Sequence, residues 1–184
     1  MILNNNSLNL NKLYEMKYKT FSKFDSINKF RNKDTYIHNV DKYILHTLEE
    51  ISEVFTDEDE REELIDVLLY LGTIYSFILK TMETKYDIYI NDYHKIELEE
   101  TTKSKEKYLF NDVFMNLMEI RRKFPERKWH KNDTVSGRDH KKRLKESKKI
   151  IEESMSIVAG VILDKCIDEN EFNKLVSKKH NKLH

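Results

Sequence analysis

The stretch LEEISEVFTDEDEREELIDVLLYL (residues 48–71) decides the fold. It holds two acidic pairs, Glu50 with Glu53 and Glu63 with Asp66, each spaced i, i+3. That spacing puts both carboxylates of a pair on one helix face, about one turn apart. Nine residues, VFTDEDERE, separate Glu53 from Glu63. The two helices are therefore predicted to fold back on one another as an antiparallel hairpin. Four carboxylates then converge on one small volume. Like charges packed that way repel unless a cation sits among them. Asp and Glu oxygens suit a hard divalent ion, Mg²⁺ or Mn²⁺.

Upstream, Asn39 or Asp41 is placed to cap a helix running to about residue 55. Ile44, Leu48, Ile51 and Phe55 recur at helical spacing and predict its core stripe. Glu50 and Glu53 lie away from that stripe, with His46 on their side. Downstream, a helix is predicted from about residue 59 to 85, its acid-rich first turn matching the helix dipole. From Val67 on it is apolar almost all round, which predicts a place at the centre of a bundle or in a homodimer core. Glu63, Asp66, Tyr70 and Thr73 form one stripe on it. A carboxylate at Asp66, inside LIDVLL, is costly to bury unless it is paired or bound to metal.

A chain of 184 residues with three Gly and one Pro predicts one all-α domain, a helical bundle of about five to six helices. Further helices are expected over 21–31, 111–124, 140–166 and 168–180, with a polar connector at 90–107 and a loop at 126–139. Residues 1–20 are rich in Asn and Lys and are expected to be loosely ordered, which leaves 21–184 as the domain. Zero net charge argues against binding nucleic acid through charge alone. The one cysteine, Cys166, has no partner for an intrachain disulfide, reads as a packing residue, and points to a reducing, cytoplasmic compartment. The N-terminus lacks the pattern of a signal peptide. The apolar run 67–79 is too short to span a bilayer, so no membrane is expected.

Charge is balanced but segregated. Residues 49–66 carry ten acids against Arg61, and residues 121–149 carry thirteen Lys or Arg against four acids. Such a pair of clusters suits a metal–polyphosphate complex; the plain alternative is that the clusters attract each other across the fold. Within the basic region, Arg127, Lys128 and Lys131 offer cations for a triphosphate tail, Arg in bidentate fashion. Trp129 suits stacking on a base or packing in the core. His130 suits a hydrogen bond to a phosphate or a base edge. The plain alternative here is a solvated basic loop anchored by Trp129.

EEISE (49–53) followed by ELIDVLLYL (63–71) resembles the signature of the all-α NTP pyrophosphohydrolases, the MazG-like proteins and the dimeric dUTPases. RKWHK (127–131) is similar to a basic segment in some phage and bacterial MazG-like proteins. The resemblance is densest over residues 40–80. It implies a usually dimeric bundle in a bacterial or phage-infected cell, with Mg²⁺ held by Glu50, Glu53, Glu63 and Asp66. It also implies hydrolysis of a nucleoside triphosphate, dUTP or another dNTP, to the monophosphate and pyrophosphate. Glu49 or Glu50 would orient or deprotonate the attacking water, and Arg127, Lys128, Trp129, His130 and Lys131 would bind substrate. One departure is the nine-residue link, shorter than is usual there, which bears on the metal site before it bears on the fold. The C-terminal Lys178, Lys179 and Asn181 are weaker candidates for phosphate contact. The rival expectation is a non-enzymatic helical interaction protein, in which acidic and basic surfaces pair and the apolar helix dimerises.

Overall fold

Helix α2, Glu60–Tyr86, is the element the others cover. The computed structural model describes residues 1–16, 33–56, 60–86, 95–98, 109–123, 137–166 and 168–182. Before α2 come strands β1 (Leu3–Asn4) and β2 (Ser7–Asn9), a helical segment over 10–16, and α1 (Lys33–Glu53). After it come β3 (Lys95–Glu97), α3 (Phe114–Lys123), α4 (Gly137–Lys165) and α5 (Glu169–Lys182). A single wider helical turn, Leu109–Val113, leads into α3. The chain is all-α, with one minor sheet. The helices expected from about 59, 111, 140 and 168 are present with ends shifted by a few residues. The helix expected over 21–31 lies outside the described residues.

α1 and α2 are antiparallel, since Glu50 meets Glu63 while Tyr43 meets Tyr70 and Phe77. α4 and α5 cover other sides of α2. From Leu64 to Ile78 nearly every α2 side chain is buried, including Leu68, Leu71, Ile74 and Ile78 at zero exposure. Its small polar residues are satisfied within the helix: Thr73, Ser76 and Thr81 donate to the carbonyls of Leu69, Gly72 and Phe77. Gly72 lets Leu13 approach closely, for a Cβ there would stand 3.0 Å from the Leu13 side chain. α2 is long and apolar enough to cross a membrane by composition, but 78% of its most apolar window is buried in the protein's own core. Of the two places expected for the apolar stretch from Val67, the centre of a bundle is the one seen within the chain.

Four expectations change. α1 begins at Lys33, so Asn39 and Asp41, expected to cap it, lie within the helix. Phe55 is not in the core stripe but 56% exposed, because α1 ends at Glu53 and the chain turns over 54–56; Val54 is buried instead. Residues 1–16 of the segment expected to be loose are built into the fold, with Leu3, Leu8 and Leu13 fully buried. The Asn run is a turn signal: Asn5 and Asn6 both have left-handed φ (51° and 54°), which two-residue hairpin turns require and Asn tolerates. The connector at 90–107 contributes β3, which pairs antiparallel with β2 at Leu8↔Ile96.

The small sheet anchors α5. The Asn173 Oδ1 accepts hydrogen bonds from the backbone N–H groups of Ile2 (2.7 Å) and Leu3 (3.0 Å), and its Nδ2 donates to the Leu3 carbonyl (3.1 Å). Asp168 caps the helix by accepting from the Glu171 N–H at 2.8 Å. Phe172 and Val176 plug into the core.

Truncating Leu8→Ala is expected to cost about 2–5 kcal/mol, as for other fully buried leucines. Urea denaturation measures it; a cost below about 0.5 kcal/mol, the range of surface substitutions, would mean that the hairpin is not part of the core.

Candidate metal centre

The carboxylates meet where α1 ends and α2 begins. There the burial of α2 fades: Leu64 and Ile65 are buried, whereas Glu62, Glu63 and Asp66 sit at its margin. Glu50, Glu53 and Glu63 each bring one carboxylate oxygen within 4.8 Å of the others. The short link therefore brings both helices' acids together. Asp66, one turn beyond Glu63, raises the energy of an ionised Glu50 through its charge. Its Oδ2 accepts a hydrogen bond from Lys179 at 2.6 Å, and its Oδ1 is buried with no hydrogen-bond partner among the described residues.

Crowding shows most at Glu50. Burial, the charges of Asp66, Glu53 and Glu63, and a hydrogen bond with Glu63 push its carboxyl up to about 8. At neutral pH in the absence of metal it is largely protonated. A protonated Glu50 hydrogen-bonded to Glu63 places one proton between two carboxyl groups, the usual outcome when like charges are forced together. A hard divalent cation fits this donor set. All its candidate ligands are carboxylate oxygens, and one of them, Asp66 Oδ1, is buried without a protein donor.

The structure supplies cations of its own. The Lys179 Nζ lies 2.6 Å from Asp66, 3.5 Å from Glu62 and 3.7 Å from Glu63. Burial works against its charge, but the hydrogen bond to Asp66 and the charges of Asp66, Glu63 and Glu62 outweigh it and raise the ammonium above its usual value. Lys178 pairs with Glu62 at 2.5 Å, Arg61 with Glu171 at 3.0 Å and Lys165 with Glu60 at 2.6 Å. The partners of the acidic turn of α2 thus include α5 and the end of α4. In the basic region, Arg121 pairs with Asp41, Lys123 with Glu119 and Glu146, and Lys148 with Glu152.

Beside the acids lies an aromatic step. His46 stacks on Tyr70 with ring centroids 5.6 Å apart at 20°, and Tyr43 lies 6.1 Å from Tyr70. Burial, then the charges of Glu50 and Asp66, raise the Tyr70 hydroxyl above its usual value, so it stays a neutral donor. The His46 Nδ1 is 2.9 Å from Glu49 Oε2, and the Glu49 side chain is 67% exposed. Glu49 therefore stands outside the carboxylate group, held by His46.

Of the candidates, Glu50, Glu53 and Glu63 come together, and Asp66 borders them in the grip of Lys179. Arg127, Lys128, Trp129, His130 and Lys131 lie outside the described residues. Lys178 contacts Glu62, Asn181 is exposed, and Cys166 is half-buried. Burial, chiefly, raises the Cys166 thiol above its usual value. The role of Lys179 as partner of the acids was missed. Its signal is helical periodicity, because Phe172, Leu175, Val176 and Lys179 recur at i, i+3, i+4, i+7 and share the face that meets α2. Comparison with family models finds no match, and comparisons with curated proteins and with solved structures find no significant one.

Between the ordinary value of 4.5 and about 8, the folded chain keeps on Glu50 a proton that the unfolded chain has lost. Stability from this group is therefore fully present below pH 4.5 and is lost as pH rises through about 8. Melting the protein in chelator across this window is expected to show Tm falling with pH more steeply than in Glu50→Gln. Parallel curves would mean that Glu50 ionises normally.

Proposed function

We propose that this chain is a Mg²⁺-dependent nucleoside triphosphate pyrophosphohydrolase, converting a (d)NTP to the (d)NMP and pyrophosphate. One observation carries the reading: Glu50, Glu53 and Glu63 converge from two helices, with oxygens within 4.8 Å, although nothing in the packing of α1 on α2 requires three acids there. The similarity of EEISE and ELIDVLLYL to the all-α pyrophosphohydrolases supplies the reaction class.

Glu50, Glu53 and Glu63 would hold the ion, with Asp66 as the fourth ligand. When bound, Mg²⁺ or Mn²⁺ supplies positive charge against the triphosphate and makes water more acidic. Glu49, oriented by His46 and outside the ligand group, takes the proton of the attacking water. Glu50 is kept for the metal. Attack falls on the α-phosphorus, and pyrophosphate leaves. The resemblance gives Arg127, Lys128 and Lys131 the charge of the departing pyrophosphate to balance, and Trp129 and His130 a part in holding the substrate. The biological role is control of a nucleotide pool, dUTP or another dNTP. Homodimers are usual among the proteins the chain resembles, and a homodimer belongs to the proposal on that ground alone.

One observation favours the rival, non-enzymatic reading. Lys179 is only 12% exposed and neutralises Asp66 as a structural ion pair would. A pyrophosphate assay with each dNTP and Mg²⁺ separates the two readings.

Glu53→Gln is expected to abolish Mg²⁺-dependent turnover with the helical circular dichroism unchanged, because Glu53 is exposed and, without a cation, its charge only adds repulsion at Glu50. Asp66→Asn is expected to do the same while lowering Tm, since it also strips Lys179 of its closest partner. Near wild-type rates in either variant would dismiss the four-carboxylate site.

Hydrolysis in ¹⁸O-labelled water is expected to place the label in the nucleoside monophosphate. Label in free phosphate would assign attack to the γ-phosphorus and a different reaction class.

A further inference from the structure

The proposed site is closed by a lysine from the far end of the chain. α5 is held at its first half by Asn173 on the β1 backbone, by Glu169 accepting from the Asn6 N–H, and by buried Phe172 and Val176. Its second half reaches the acids of α2 through two flexible side chains, Lys178 and Lys179. Lys179 is the deeper. Its ammonium touches Glu62, Glu63 and Asp66 at once, and two of these are proposed metal ligands.

An ammonium and a divalent cation cannot share the same carboxylates without repulsion. Withdrawing a lysine side chain needs only rotamer changes, so the anchored helix need not move. The withdrawn ammonium, however, loses three carboxylates and must find another anion. A polyphosphate held by the same metal offers one close by.

Resting on the reading of the carboxylates as a metal site, we propose that Lys179 is a built-in competitor of the divalent cation. It holds Asp66 and Glu63 until metal and polyphosphate arrive together, and it then passes to the phosphate. Metal alone binds weakly because it must evict Lys179. Metal with polyphosphate binds well because the evicted ammonium is re-paired. Binding of the two ligands is thereby coupled, and the coupling is reciprocal.

The test is Mn²⁺ binding to the full chain, followed by calorimetry and by the electron paramagnetic resonance of free Mn²⁺, with and without inorganic pyrophosphate. Wild type, Lys179→Met and Lys179→Arg are compared. Lys179→Met is expected to bind Mn²⁺ alone about tenfold tighter than wild type or more, and to lose most of the gain that pyrophosphate gives wild type. Lys179→Arg keeps the charge and is expected to stay close to wild type in Mn²⁺ affinity. Should Lys179→Met fold poorly, the side-chain NMR signal of Lys179 in the wild type serves instead. Mn²⁺ is then replaced by diamagnetic Mg²⁺, and the signal is expected to shift when Mg²⁺ and pyrophosphate are both present.

Equal or weaker Mn²⁺ binding by a folded Lys179→Met overturns the competitor role. If Glu53→Gln still loses the metal in that case, the metal site itself stands. A Lys179 signal unmoved by Mg²⁺ and pyrophosphate overturns the role in the same way. Mn²⁺ binding to none of the proteins, even at millimolar concentration with pyrophosphate, overturns the competitor role and the metal site together.

Discussion

Covering α2 is the constraint on which the rest depends. A helix of 27 residues that is apolar on nearly every side cannot be left half in water. α1, α4 and α5 each take part of its circumference, and Leu13 closes on it at Gly72. This arrangement places the candidate site. α2 begins with Glu60, Glu62 and Glu63, and the last turn of α1 folds back against that acidic start. The acids sit where the core ends, dry enough for charges to interact strongly and open enough for an ion to enter.

Local pattern carried most of the fold. The spacing of Ile44, Leu48 and Ile51 and the near-continuous apolar run of α2 mark the helices because each signal lies within one element. What failed depended on partners distant in sequence. The buried hairpin at residues 3–9 reads as a polar Asn-rich segment until Asn173, about 170 positions on, is seen to hold its backbone. Phe55 fits the helical stripe, but a stripe does not show where the helix stops. The apolar run of α2 left the centre of a bundle and a dimer core both open, because the cover given by α4 and α5 is not visible from α2 alone.

The site divides in the same way. That Glu50, Glu53 and Glu63 come together was legible because i, i+3 spacing is a property of one helix and a short link is a property of two. That Glu49 belongs with His46 rather than with the ligands was half legible, in their three-residue spacing. That Lys179 is the partner of Asp66 was not, since 113 residues separate them. A lysine near a chain end in a basic stretch looks like a solvated charge. Its burial follows only when Phe172 and Val176 are recognised as anchors that lay this face of α5 on α2.

The place of Lys179 on α5, apart from α1 and α2, bears on the charge balance of the site. Without metal, the four carboxylates of the proposed centre are held together by two positive charges, the Lys179 ammonium and the proton on Glu50. On the proposed reading, one divalent cation replaces both, so the net charge of the centre is the same before and after. Exchange of that kind requires that the resident charges can leave. A proton leaves to water. A lysine leaves by turning its side chain away, and from a separate helix it does so without disturbing the hairpin that shapes the site. A cation on a separate helix, tethered at the far end by Asn173 and reaching in through four methylenes, neutralises the acids in the resting chain and can still move away.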